Sequence, residues 1–565
     1  MKLNKRLGLI SFILCLFIAG AASFNLFTNN GFSFHDETQI ANLFEYKQAI
    51  GYGQIPPRWA PDMQFTYGSP YLEFNYQIPY YFGVVFNHLG LSLLDSYKLV
   101  LALSFFVGAI GMYLLGQLLA GPLVGLATAF LYTFTPYRAV DVYVRGTVGE
   151  ALAIGIFPWI FYALYSLRKK SDFVHIFLAG LSISILILTH QPATAFGLPV
   201  ILLIFVISEI VSGNYKYLLS LLWSLLIAFG LSAYYLIPVL LEQKFIQPVA
   251  PFNFYDHFPF IKQLIYSAWG YGVSIPGPYD GFSFQIGLAN LVIIILGVVL
   301  AAVFIWKKGL KKNIYLIATV LSVALVLFLM NMRSSFLWSI FPYTNSIQFP
   351  WRLLSIMVLL TTLLYLFILA GSKNRTRKIL LIAIPLIALI NNFSYFHPGT
   401  IIDHDDNYYL RRYLPNQVLF IGEKVSGDYL NYTENYLPLP TAAVRPTTVP
   451  DSTITAKLPE TEIKYINTNP FTMSASIYSL TGDFVSIHRF YYPGWVITLD
   501  GNIQKITLDK NGAMVLFVDK GIHNLNVYFR DTDTRYLSNM VSLLTILIST
   551  ILLLYYSKHK SAHTR

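Results

Sequence analysis

The stretch 352-RLLSIMVLLTTLLYLFILAG-371 carries one charge, Arg352, at its first position and none after it. As a helix rising about 1.5 Å per residue it is about 30 Å long, the thickness of a bilayer's hydrocarbon core. Lys373, Arg375, Arg377 and Lys378 follow at once. Short basic connections stay in the cytoplasm, so this end is the inner one and Arg352 marks the outer one.

The same pattern recurs along the chain. Apolar stretches of spanning character fall near 7–24, 98–117, 121–136, 151–167, 173–190, 192–211, 217–241, 286–306, 313–331, 352–371, 378–395 and 539–557. Basic residues occupy alternate gaps: Lys2, Lys5 and Arg6; Arg168 to Lys170; Lys216; Lys307, Lys308, Lys311 and Lys312; the 373–378 cluster; Lys558 and Lys560. Twelve spans with both termini cytoplasmic satisfy that alternation. The stretch Ile78 to Leu94, interrupted by Pro79, Gly83, Asn87, His88 and Gly90, would invert it as a thirteenth span, and is expected to lie at the outer interface or re-enter the membrane. The first segment also suits a cleavable signal peptide, with Lys2 to Arg6 before an apolar core and the small residues Ala19 to Ser23 after it.

Composition agrees. Of 565 residues 55% are hydrophobic and 12% charged, about half the charged share of an ordinary globular chain, which argues against a soluble enzyme, a disordered tail or a nucleic-acid module. The net charge of +11 is mostly a topology signal, and no nucleic-acid partner is expected. The single cysteine, Cys15, leaves no intrachain disulfide and no cysteine zinc site. No Asp, Glu, Lys or Arg lies near the centre of a span, and His175, His190 and Glu209 sit at span ends. Ion-coupled transport usually needs such residues at mid-membrane.

The large loops, 25–97, 137–150, 242–285, 332–351 and 396–538, all fall outside by this topology. Residues 1–395 form the expected transmembrane domain, 396–538 an extracytoplasmic domain and 539–565 the final helix and tail. Alternation at Thr472 to Ser479, Trp495 to Leu499, Ala513 to Val518 and Asn524 to Phe529, with turns at Asp500-Gly501 and Asn511-Gly512, predicts a small antiparallel β-sandwich.

The first outer loop opens with Phe34-His35-Asp36-Glu37. Adjacent carboxylates at a membrane surface can supply a general base for an attacking hydroxyl. Asp36 followed by Gln39 is equally a capping-box pattern for a helix running to about Gly51, and the spacing leaves both roles open. Arg58, Arg138, Arg145, Arg333 and Arg352 gather on the side where positive charge is normally sparse, which suits a lipid phosphate. Arg138 or Arg145 could instead pair with Asp141 or Glu150. His190 before Gln191-Pro192 could be a ligand, a proton carrier or an interfacial group. Abundant tyrosine and tryptophan, Trp59 and Trp351 among them, fit a membrane belt as well as sugar stacking.

Six motifs together resemble the bacterial membrane proteins labelled 6-pyruvoyl-tetrahydropterin synthase-related, which are similar in turn to YfhO-like proteins. They are His35-Asp36-Glu37; Gly53-x-Ile55-Pro56-Pro57-Arg58-Trp59; Gly68-x-Pro70; Tyr143-Val144-Arg145-Gly146-x3-Glu150; Gln348-Phe349-Pro350-Trp351-Arg352; and Tyr492-Pro493-Gly494-Trp495-x4-Asp500-Gly501. Nothing resembles a soluble pterin synthase with its histidine zinc site. The organisation also resembles the GT-C glycosyltransferases. That resemblance implies a polyprenyl-phosphate sugar donor, an essential acidic residue in the first outer loop and inversion at the anomeric carbon.

The expected enzyme is therefore a GT-C-type hexosyl- or pentosyltransferase of the cytoplasmic membrane. Its extracytoplasmic acceptor would be a cell-surface polysaccharide, glycolipid or protein. Asp36 is the expected base, with Glu37 and His35 assisting, and Arg58, Arg145, Arg352 and Arg138 are expected on the donor phosphate. Trp59, Glu150, His190 and Trp351 are expected to bind the acceptor or to support the site. No cofactor is required, and a divalent cation beside Asp36 and Glu37 is compatible with that chemistry. A flippase or exporter of a lipid-linked saccharide would use the arginines without a base, and a non-catalytic envelope scaffold would need neither.

Overall fold

The computed structural model describes residues 2–27, 31–247, 252–308, 310–341, 344–414 and 438–562. Part of the loop expected at 396–538, residues 415–437, lies outside them. Each of the twelve apolar stretches falls on helix. Among the described residues nine helices are long and apolar enough to cross a membrane, and ten if Ile314–Leu329 and Met332–Ile340, bent by 89°, count as one. The stretches at 121–136 and 173–190 form shorter helices, Pro122–Thr133 and Phe173–Thr189. Proline explains both ends. Thr135 precedes Pro136 and is extended, as the ring of the following proline requires. His190 is extended before the next helix, which starts with Pro192 in its first turn.

The stretch from Ile78 is an 11-residue helix, Ile78–His88, about 16 Å long and too short to cross. It packs on Leu93–Ala120, a helix that begins before the expected 98 and is capped by the Ser92 side chain on the Asp95 N–H. Leu93–Ala120 and Val148–Lys169 approach closely where Gly108 faces Gly155; a Cβ on Gly155 would stand 2.9 Å from the Ser104 carbonyl.

Near the C-terminus the alternation yields two antiparallel sheets. One orders Asn502–Ile503, Trp495–Leu499, Gly521–Phe529, Thr472–Ser479 and Glu462–Asn469; the other orders Thr507–Leu508, Ala513–Val518, Asp483–Phe490 and Ile454–Ala456. Their inward residues, including Ala475, Ile477 and Val527 on one side and Val485, Ile487 and Leu516 on the other, join one buried cluster. Asp500 and Gly501 both take positive φ, 52° and 83°, as a tight hairpin turn needs.

That cluster also contains Trp59, Phe65 and Leu72 of the first loop. The sheets are thus packed onto the loop that carries Asp36. Trp59, fully buried, has the rings of Tyr492, Trp495 and Phe529 5.6–6.1 Å away. Beside it Arg58 lies 3.2 Å from Asp531 and 3.9 Å from Glu73, and Arg535 of the last helix, Asp533–Ala562, lies 2.9 Å from Glu73 and 2.7 Å from Glu242.

Candidate active site

His35 and Asp36 are held as backbone before they act as side chains. Their N–H groups donate to the carbonyls of Val144 and Arg145, at 3.1 and 3.0 Å. Gly146 makes this approach feasible. It sits at φ 69°, and a Cβ there would strike Phe34 and the Tyr97 hydroxyl, which donates to the Gly146 carbonyl at 2.6 Å.

The capping-box reading fails. The helix begins at Thr38 with Glu37 as its cap residue, and no side chain caps it. Gln39 instead accepts from the Tyr76 and Tyr80 hydroxyls. The Asp36 carboxylate therefore faces a cavity of about 270 Å³, lined also by Gln39, Tyr76, Thr147, His190, Gln191 and Arg352. Burial raises the Asp36 carboxyl above its ordinary range, against the opposing pull of Arg145 and Arg352. Burial lowers His35, which keeps that ring neutral.

Behind the cavity wall is a buried charge network. Arg145 donates to Asp141 and Glu150, both at 2.7 Å, and its guanidinium lies 4.8 Å over the Trp351 ring. Glu150 also accepts from the Tyr137 hydroxyl at 2.6 Å and lies 3.8 Å from Arg352. Burial, then the neighbouring Glu150, pushes Asp141 up to about 8. Arg352 donates to Gln348 at 2.7 Å, while its buried Nε has no hydrogen-bond acceptor. Gln348 adopts φ 67° to do this, a left-handed conformation costing a side chain about 1–2 kcal/mol. His190 accepts the Ala193 N–H on Nδ1 at 3.2 Å, which leaves its proton on Nε2.

Four expected residues thus line or closely support one cavity wall: Asp36 and Arg352 with His190, and Glu150 behind them. Arg145 and Trp351 stand one layer back. Arg145 is the arginine that pairs with Asp141 and Glu150, as its spacing allowed.

The others are elsewhere. Arg58 and Trp59 belong to the seam between the first loop and the sheets, because Glu73 and Asp531 hold the one and aromatic rings enclose the other. Arg138 is buried over Phe105 and donates to the Ala151 carbonyl, which fastens helices together. Glu37 turns away from Asp36, accepts from Tyr413 at 3.0 Å and lies 3.7 Å from Arg412, so the two carboxylates form no pair. His35 contacts the Tyr271 carbonyl, and Arg333 is exposed and does not line the cavity. Among the described residues no group of three His, Cys, Asp or Glu side chains is arranged to hold a metal.

The sequence reading missed Gln39, Tyr76, Thr147 and Gln348 as wall residues. Gln348 is a named residue of one motif, Thr147 an unspecified position of another and Gln39 part of the capping-box pattern, whereas Tyr76 belonged to none.

Residues 74–275 match the family described as "6-pyruvoyl-tetrahydropterin synthase related domain; membrane protein". The matched region holds Arg145, Glu150 and His190; Asp36 and Arg352 lie outside it. No curated protein matches the sequence.

Solved structures similar to this chain include two of the arabinofuranosyltransferase AftD from Mycobacteria. One is 15% identical over 69% of this chain and 26% of that one, with a TM-score of 0.43. The other, a mutant form, is 16% identical over 70% and 28%, also at 0.43. The chain spans about a quarter of the length of these proteins.

Proposed function

We propose that this 6-pyruvoyl-tetrahydropterin synthase-related protein is a glycosyltransferase of the cytoplasmic membrane, using a polyprenyl-phosphate sugar and an acceptor on the outer face. Both termini are cytoplasmic in this reading. Residues 1–395 form the transmembrane domain, the sheets within 396–538 are extracytoplasmic, and 539–565 return the chain to the cytoplasm.

The observation that carries the reading is the cavity wall on which a half-buried carboxylate, Asp36, and the guanidinium of Arg352 stand together. A transferase needs those two charges near one another. Asp36 takes the proton of the acceptor hydroxyl as its oxygen attacks the anomeric carbon, the bond from that carbon to the phosphate oxygen breaks on the opposite face, and polyprenyl phosphate leaves toward Arg352. Attack opposite the leaving group inverts the anomeric centre. Glu150 and Gln348 orient Arg352, while Tyr71, Tyr76 and Gln39 offer ring faces and hydrogen bonds to a sugar.

The test is turnover by the purified protein in vesicles offered a panel of polyprenyl-phosphate hexoses and pentoses with envelope acceptors. Release of polyprenyl phosphate with a new glycoside is the expected result. Donor binding without turnover would favour a carrier and overturn the enzyme.

Arg352→Ala should weaken donor affinity about 10- to 100-fold, the worth of one or two charge-assisted hydrogen bonds. Titration with a non-transferable polyprenyl-phosphate analogue measures it, and unchanged affinity would remove Arg352 from the phosphate.

A further inference from the structure

A second cavity, of about 540 Å³, lies between the helices Lys2–Ser23, Pro122–Thr133 and Asn374–Asn392. Its walls include Leu14, Phe17, Leu126, Phe130, Leu381 and Pro385, and its one charged residue is Lys378. Its rim stays uncovered by the chain: Phe17 is 74% exposed and Ile382 69%.

The three helices run in the same direction. Gly8, near the start of the first, accepts from Tyr113 close to where Leu93–Ala120 hands over to Pro122–Thr133. At the far ends Asn25 donates to the Phe396 carbonyl and Asn392 to that of Phe134. Lys378 therefore sits at the end where Arg6 and the basic connection 373–378 lie. From Lys378 to Pro385 the helix advances about 10 Å into the apolar layer.

The arginine next to it is already engaged, since Arg377 donates to the carbonyls of Leu369, Ala370 and Ser372. Lys378 is exposed and has no carboxylate partner among the described residues.

We propose that this cavity binds an anionic glycerophospholipid of the cytoplasmic leaflet, with one acyl chain between the three helices and the phosphate at Lys378. Charge complementarity selects the occupant. An apolar slot ending at an unpaired ammonium among further basic residues favours an anionic headgroup over a zwitterionic one, and basic pockets between helices on the cytoplasmic side are suited to such lipids. The site lies at the membrane face opposite Asp36 and is independent of transfer.

The experiment uses the full chain, delipidated in detergent and offered equal amounts of phosphatidylglycerol, phosphatidylcholine and a polyprenyl phosphate, with bound lipid read by native mass spectrometry. Phosphatidylglycerol should be retained about fivefold over phosphatidylcholine, as one surface lysine predicts. Lys378→Gln should erase that preference and Lys378→Arg should keep it. Equal retention of the two phospholipids by the unaltered protein overturns the proposal without any variant. So does a preference that survives Lys378→Gln, or displacement of phosphatidylglycerol by the polyprenyl phosphate.

Discussion

Asp36→Asn should lower transfer about 10²- to 10⁴-fold, the contribution of a positioned general base, while the donor still binds within a fewfold of its original affinity. The amide keeps the volume of the side chain and cannot take the acceptor's proton. Backbone bonds to Val144 and Arg145, rather than the carboxylate, hold the segment, so the substitution should leave it in place. The pH profile supplies a second readout. Burial raises the Asp36 carboxyl, and a base works only once deprotonated, so transfer should climb with rising pH through a midpoint above the ordinary aspartate value of about 3.9. Single-turnover transfer across pH measures both. Retained transfer in Asp36→Asn would remove the base, and an acid limb at or below the ordinary value would show that another group titrates.

The second large effect is on stability. Arg535→Ala should destabilise the protein by about 3–5 kcal/mol, the cost of removing one partner from a buried ionic network. Arg535 is wholly buried and lies between Glu73 of the first loop and Glu242 at the end of the helix Tyr215–Glu242, with the Tyr492 hydroxyl 3.1 Å from the one carboxylate and 3.2 Å from the other. Without it two carboxylates share a site sealed from water. Because these residues join four separate parts of the chain, the loss should loosen the sheets from the first loop. Arg535→Lys restores charge but not the fork that serves two acceptors, and should recover only part of the loss. Thermal unfolding in detergent reads the effect, and an unchanged midpoint would mean that the network holds nothing together.

These two regions differ in how far they can be read from the chain. Asp36 is legible because a charge just beyond an apolar segment is rare enough to stand out. The pairing of Arg145 with Asp141 and Glu150 is legible because all three lie within ten residues, where helical and turn spacing bring side chains together. Arg58 is not. Its partners Glu73 and Asp531 are 15 and 473 residues away, and nothing local distinguishes an arginine that meets phosphate from one that meets a carboxylate. Glu37 misled for a related reason. Neighbours in sequence at a helix start point in different directions, so Asp36 faces the cavity while Glu37 faces Tyr413.

What the residues determine by themselves follows from solvent. Long uncharged stretches, basic gaps between them and period-two alternation near the C-terminus each depend on local transfer energies, and they dictate helices in lipid and strands packed on one face. Which polar side chains share a cavity depends instead on contacts between distant segments. Only the folded chain decides that Arg352 joins Asp36 while Arg58 is spent on fastening the sheets, since a buried charge goes to whichever opposite charge the packing brings within reach.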